Sequence, residues 1–217
     1  MRPIVIVMAK APRAGETKTR LCPPLTAQQA AGLYSALLAD TLEFVLHLQD
    51  VQPAVAVTPP DGITYFLECV RHGVRLYPVA GRDIGEVLHR VLATAFGEGY
   101  PKAIAIHSDG PTFPPGVVGQ AMTALDAHDV VLGPCDDGGY YLVGLKRACA
   151  PLFEGIEWST PRVISQTIAR AEQLGLATYL LPAASDVDTA DDLARLAGWL
   201  SRDGQGRMPH TRAFLSA

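Results

Sequence analysis

The chain is poor in the features that would assign it to several large classes. Of its 217 residues only four are cysteines, and no two of them have the C-x-x-C spacing of zinc and redox sites. A disulfide scaffold is thereby excluded, and four reduced thiols in a cytoplasmic protein are expected, with Cys135 flagged as reactive because it neighbours a candidate site. No apolar run reaches the roughly 18 residues of a membrane span, and Ile4–Met8 is too short for a signal-peptide core. There is no surplus of positive charge: 18 Lys and Arg face 22 Asp and Glu, a net charge of −4. That balance disfavours a nucleic-acid surface and leaves small anionic ligands open. The G-x-S-x-G and G-x-G-x-x-G motifs are missing, as is metal-ligand spacing among the histidines. The phosphate loop G-x-x-x-x-G-K-[ST] is missing too, because two residues separate Gly15 from Lys18 and no glycine stands at its first position.

What the chain does have is alternation. Buried-strand patterns at Ile4–Met8, Pro53–Thr58, Val74–Val79, Lys102–His107, Asp129–Gly133, Tyr140–Leu145 and Ala177–Leu181 are separated mostly by helical periodicity. Thr26 and Gln29 form a capping box for the first helix, and a second runs over Ile84–Phe96 with Ile84 turned inward and Asp83-Ile84-Gly85-Glu86 resembling its capping box. A third covers roughly Pro115–Ala127, Thr160-Pro161 reads as the start of a fourth and Thr189 as the start of a fifth. The order predicts an α/β fold, a mainly parallel, mixed sheet with helices on both faces. Six residues between Gly133 and Tyr140 are too few for a helical crossover, so one of those two strands runs antiparallel or leads into a small subdomain. Residues 1–201 are expected to be one domain, and 202–217 an arm or partly disordered tail.

The candidate site residues all follow strands. The first strand empties into a loop carrying Lys10, Arg13, Gly15, Lys18 and Arg20, a charge pattern suited to a nucleotide di- or triphosphate; the plain alternative is a solvated basic turn. Ser108-Asp109 ends another strand. Its carboxylate suits a divalent cation shared with phosphate oxygens, or it closes an Asx-turn before Pro111. Asp186 and Asp188 flank Val187, so both can point one way and one can complete a metal site with Asp109. Asp191 and Asp192 are first-turn acids. Asp136-Asp137-Gly138-Gly139 makes either an ordinary hairpin or a turn on which an acceptor approaches the backbone. Trp158 and Ser159 precede a helix, the indole being a core residue or a pocket wall.

Taken in order, A-K-x-P-x-x-G-x-x-K-T-R-L, S-D-x-P, L-G-P-x-x-D-G-G-Y-Y-L-x-G-L, W-S-T-P and D-V-D-T span Ile4 to Leu196. This set resembles the DUF2064 family of candidate glycosyltransferases, relatives of nucleotide-diphospho-sugar transferases of the GT-A fold. The resemblance implies that Lys10, Lys18 and Arg20 contact nucleotide phosphates, that Asp109 and Asp188 are the carboxylates of a Mg²⁺ or Mn²⁺ site, and that Asp137-Gly138-Gly139 lies on the acceptor side. The chain departs from the pattern at His107, Phe113 and Val87, where relatives have Gly, Leu and Arg. Glycosyl transfer from a nucleotide-sugar to a small-molecule acceptor, with Asp137 as base, is the leading expectation. The alternatives are nucleotidyl transfer from an NTP with release of pyrophosphate, as in phospholactate guanylyltransferases or molybdenum-cofactor enzymes, and a non-catalytic nucleotide-binding protein. The oligomeric state is left open.

Overall fold

The computed structural model describes residues 1–70, 72–110, 112–202 and 207–216. One seven-stranded sheet runs through it. In chain order the strands are β1 (Ile4–Ala9), β2 (Gln52–Val57), β3 (Arg75–Pro78), β4 (Ala103–His107), β5 (Val130–Pro134), β6 (Tyr140–Leu145) and β7 (Thr178–Leu180); across the sheet they lie β3-β2-β1-β4-β6-β5-β7. β1 is parallel to β2 and β4, and β5 to β7, whereas β6 pairs antiparallel with both β4 and β5. β6 is therefore the reversed strand that the short connection required.

Each central strand alternates between two apolar layers, as a pleated strand covered on both faces must. Val5 and Val7 turn to the layer shared with α1 (Ala27–Leu46) and α4 (Val117–Ala127). Ile4 and Ile6 turn to the layer shared with α3 (Ile84–Gly97) and α5 (Val163–Gln173). All four strand residues are fully buried. A third apolar cluster joins Leu21, Leu33, Leu37, Val187, Leu196, Leu200 and Met208, tying the loop after β1 to α1 and to α6 (Ala190–Arg202).

Thr26 caps α1 with the full capping box, its hydroxyl accepting from the Gln29 amide while the Gln29 side chain accepts from the Thr26 amide. Asp83 caps α3 by accepting from the Glu86 amide. Thr189 and Asp192 bond reciprocally at the start of α6. Three expectations change. α5 starts at Val163 rather than at Pro161: the Thr160 hydroxyl donates to the Glu157 carbonyl and accepts from the Arg162 amide, holding a turn ahead of the helix. The third predicted helix starts at Val117, two residues past Pro115, with Gly116 at φ 73° before it. Ile84 is 38% exposed instead of inward. The short α2 (Ile63–Cys69) was not anticipated.

Of the expected tail, residues 203–206 and 217 lie outside the described ones. Pro209–Leu215 form α7, which packs on α1. The buried Asp40 carboxylate accepts from the amides of His210 and Thr211 and from the Thr211 hydroxyl. Phe214 lies against Gly32, where a Cβ would come within 2.8 Å of its ring.

Candidate active site

The carboxyl ends of β1 and β4 lie side by side, with Met8 paired to His107, so the loops that follow them share one edge of the sheet. An open α/β sheet binds its ligands beyond this edge. Because β6 runs the other way, it begins at the same edge, and the turn 135–139 emerges there. Cys135 also bridges to Ala184, which carries the segment 184–188 to the same place. The topology thus gathers four loops that are distant in sequence.

Lys18 is the point where they meet. It holds a left-handed backbone conformation (φ 50°), rare for a residue with a side chain, and its side chain is 5% exposed. Its ammonium lies 2.8 Å from Asp109 Oδ1 and 2.8 Å from Asp188 Oδ1. Burial alone would lower the Lys18 pKa, but the two carboxylates outweigh it and raise the pKa. Burial pulls Asp109 the other way, and Lys18 together with His107 holds its carboxyl well below the usual range. Lys18 and Asp109 are therefore both charged at neutral pH. Arg20 adds a guanidinium 3.3 Å from Asp188 Oδ2.

Buried anchors fix the two polar segments. Leu21 and Val187 are both sunk in the third apolar cluster, so the residues beside them stay at its surface. On the other flank Tyr34, 2% exposed, ties two loops together: its hydroxyl accepts from the Lys10 amide at 3.2 Å and shares a 2.8 Å hydrogen bond with Ser108 Oγ. Burial, then Asp109, pushes the Tyr34 phenol up to about 12. Tyr34 went unnoticed in the sequence; the signal was the lone tyrosine on the buried face of α1.

Two cavities meet at this cluster. The first, about 490 Å³, lies over Lys10, Lys18, Arg20, Ser108, Asp109 and Asp188. The second, about 920 Å³, shares Lys10, Arg20, Asp109 and Asp188 and extends over Asp137, Gly139, Trp158 and Ser159. The structure thus brings together Lys10, Lys18, Arg20, Ser108, Asp109, Asp137, Gly139, Trp158, Ser159 and Asp188. Gly15, Asp136 and Gly138 line neither cavity. Asp136 accepts from the Ser185 hydroxyl at 2.6 Å, and Arg13 turns aside to Asp61 at 2.9 Å. Trp158 both packs on the α3 layer and walls the second cavity, so the two readings of it combine. The Asp137 turn is a hairpin as well as a cavity wall, with Asp137 Oδ1 accepting from the Gly139 amide at 2.8 Å.

The donor set fits a divalent cation. Asp109 and Asp188 offer hard oxygen atoms facing both cavities, the arrangement Mg²⁺ uses with one or two carboxylates plus phosphate. Negative charge is also in excess. Cys135, Asp137 and Asp186 lie close enough for their ligand atoms to sit within 4.8 Å of one another. Burial, then Asp188 and Asp137, pushes the Asp186 carboxyl up to about 6. Asp186 itself lines a separate hollow with Thr112 and Trp199, so the two acids flanking Val187 do not share the main cavity. The expectation of a reactive Cys135 is corrected: burial and the surrounding carboxylates push its thiol pKa up, away from the thiolate.

The fold and this edge-of-sheet site define a nucleotide-diphospho-sugar-transferase-like α/β protein. The family model described as "Uncharacterized protein conserved in bacteria (DUF2064)" matches residues 41–160. The chain belongs to the DUF2064 family. Among solved structures it is similar to a candidate nucleotide-diphospho-sugar transferase from Desulfovibrio desulfuricans G20, at 29% identity and TM-score 0.91, covering 99% of this chain and 94% of that one. It shares its fold with a cytidylyltransferase from Leptospira borgpetersenii (11% identity, TM-score 0.58, 100% and 94% covered). It also shares it with the inositol-1-phosphate CTP transferase from T. maritima (12% identity, TM-score 0.57, 95% and 98% covered). A comparison with curated proteins found no match. Among the described residues no helix is long and apolar enough to cross a membrane.

Proposed function

We propose that the protein is a metal-dependent transferase that takes a nucleotide-activated donor, and that it transfers a glycosyl group to a small-molecule acceptor in the cytoplasm. One observation carries this reading: Lys18, Asp109 and Asp188 converge where two cavities join. A charged cluster at such a junction suits a diphosphate that links one group in each cavity. The description of the Desulfovibrio protein as a candidate nucleotide-diphospho-sugar transferase supports the glycosyl assignment.

In this reading the first cavity holds the nucleotide, and Lys10 and Arg20 contribute fixed positive charge beside its phosphates. Lys18 keeps Asp109 ionised and holds both carboxylates in place. Asp109 and Asp188 would hold Mg²⁺ or Mn²⁺, which when bound offsets charge on the departing diphosphate. The acceptor hydroxyl oxygen bonds to the anomeric carbon, the bond from that carbon to the diphosphate oxygen breaks with its electron pair leaving on the nucleotide, and the hydroxyl proton passes to Asp137. Removing one charge-stabilising group from such a site slows turnover on the order of a hundredfold.

A second reading is nucleotidyl transfer, favoured by the CTP-using enzymes that share the fold. There an acceptor phosphate oxygen attacks the α-phosphorus of an NTP and pyrophosphate leaves. Labelled CTP and UTP, and labelled UDP-, GDP- and ADP-sugars, incubated with Mn²⁺ and candidate acceptors, separate the two: pyrophosphate marks the second, a free nucleoside diphosphate the first. Asp109→Asn should abolish metal-dependent nucleotide binding while the thermal midpoint moves by only a few degrees. Unchanged binding in that variant overturns the assignment of Asp109.

A further inference from the structure

The second cavity has a charge character that narrows what can occupy it. Among the described residues, the part of its lining not shared with the first cavity contains one carboxylate, Asp137, one phenol, Tyr140, and no cation. The cations nearby in sequence are committed elsewhere. Arg162 bonds to Glu157, and Arg82 and Arg90 both bond to Glu86. Lys10 and Arg20 stand at the junction, within reach of whatever fills the first cavity.

The rest of this wall is aromatic, aliphatic and hydroxylic. Trp158 packs edge-on to Tyr140, with ring centroids 6.3 Å apart and planes at 81°. Its indole lies so close to α3 that a Cβ on Gly85 would come within 2.3 Å of it. Ser159 and Thr160 bring hydroxyls, Ser159 from a left-handed backbone conformation (φ 63°). The wall is also rigid. Gly138 (φ 88°) abuts the Pro161 carbonyl, where a Cβ would fall 2.1 Å from the oxygen, and the Ile164 amide donates to the Gly138 carbonyl at 2.9 Å.

We propose that this cavity takes an acceptor that is a polyol or sugar ring, uncharged or amine-bearing, and discriminates against phosphorylated ones. The proposal rests on the transferase reading above and supplies its acceptor class. An indole offers a flat apolar surface to the C–H face of a sugar ring. A single carboxylate and two hydroxyls suit hydroxyl or ammonium groups, the pattern of few placed polar groups in an apolar pocket. A phosphate monoester on the unshared wall would meet Asp137 and no cation; Lys10 and Arg20 stand only at the junction, beside Asp109 and Asp188 and next to the first cavity. Like charges brought together in this way are unfavourable.

The test uses the full chain labelled with ¹⁵N and reads the indole N–H signal of Trp158, assigned by its loss in Trp158→Phe. Methyl α-D-glucopyranoside, D-glucosamine and D-glucose 1-phosphate are titrated separately. The two unphosphorylated probes should shift the signal saturably, and the phosphate should need ~10-fold more to do so. Asp137→Asn should narrow that gap. Glucose 1-phosphate acting at equal or lower concentration overturns the proposal, as does a signal that no probe moves or a gap unchanged in Asp137→Asn. The donor reading is scored apart, by calorimetric titration of the same sample with UDP-glucose and CTP in the presence and absence of Mn²⁺. Nucleotide binding with the wrong sugar preference removes the acceptor class alone; absent nucleotide binding removes the donor reading and, with it, the acceptor role assigned to this cavity.

Discussion

Lys18 and Asp188 are 170 positions apart in the chain and 2.8 Å apart in space, and Asp109 meets the same ammonium from the other side. One cation thus holds two carboxylates that like-charge repulsion would otherwise separate. Lys18→Met removes it and leaves both acids facing each other. The acids keep 28% and 31% of their exposure, so the expected loss of about 2–3 kcal/mol lies at or below the range for a fully buried pair. Urea denaturation measures it. The double variant Lys18→Met/Asp188→Asn should recover part of the loss; additive losses would show that the pairing does not hold the site together.

Asp186 gives a pH dependence of definite sign. Its folded pKa is raised from the ordinary 3.8 to about 6. The folded state therefore binds the proton more tightly than the unfolded chain, and ionisation destabilises the fold. The penalty is absent below pH 3.8 and complete above about pH 6. In chelator-treated protein Asp186→Asn should raise Tm at pH 7–8, and the gain should vanish as pH falls to about 4. Melts recorded across that range check it; a gain independent of pH refutes it.

At Gly138, alanine would have to adopt φ 88° and place its Cβ 2.1 Å from the Pro161 carbonyl oxygen. The backbone conformation alone costs about 1–3 kcal/mol, and the clash adds to it. Gly138→Ala should lower Tm by several degrees and broaden the Trp158 indole signal, because the turn and the Trp158 loop can no longer touch. Gly97→Ala, in open space on α3, is the control: it should leave the indole signal unchanged and hold or slightly raise Tm.

The C-terminal helix depends on Asp40, whose buried carboxylate serves three donors. Asp40→Ala strands those donors, and about 1–3 kcal/mol should be lost. Hydrogen exchange over 209–215 should accelerate selectively. Uniform acceleration across the chain would instead make α7 part of the global core.

Much of this was legible in the sequence because it is written locally. Continuous Val and Ile runs marked the central strands, and Thr26, Asp83 and Thr189 marked helix starts through side-chain-to-amide bonds that span three residues. The short link before Tyr140 foretold a reversed strand. What stayed hidden depends on distant partners. Lys18 looked like a phosphate ligand, and nothing near it in sequence shows that its ammonium is already shared by two acids. Arg13 looked equivalent to its neighbours until Asp61 drew it away. Asp40 sat unremarked in a helical stripe because its partners lie at the far end of the chain.

The reversal of β6 has a consequence for engineering. The wall that carries Asp137 and Gly139 is a hairpin tip docked on the loop before α5, whereas Lys10, Lys18 and Arg20 follow β1 and Asp188 precedes α6. The two halves of the site are thus separate cassettes mounted on one scaffold. If the proposed transferase reading holds, grafting a different tip between Pro134 and Tyr140, together with a matching 156–162 loop, changes the recipient molecule while the donor machinery stays as built.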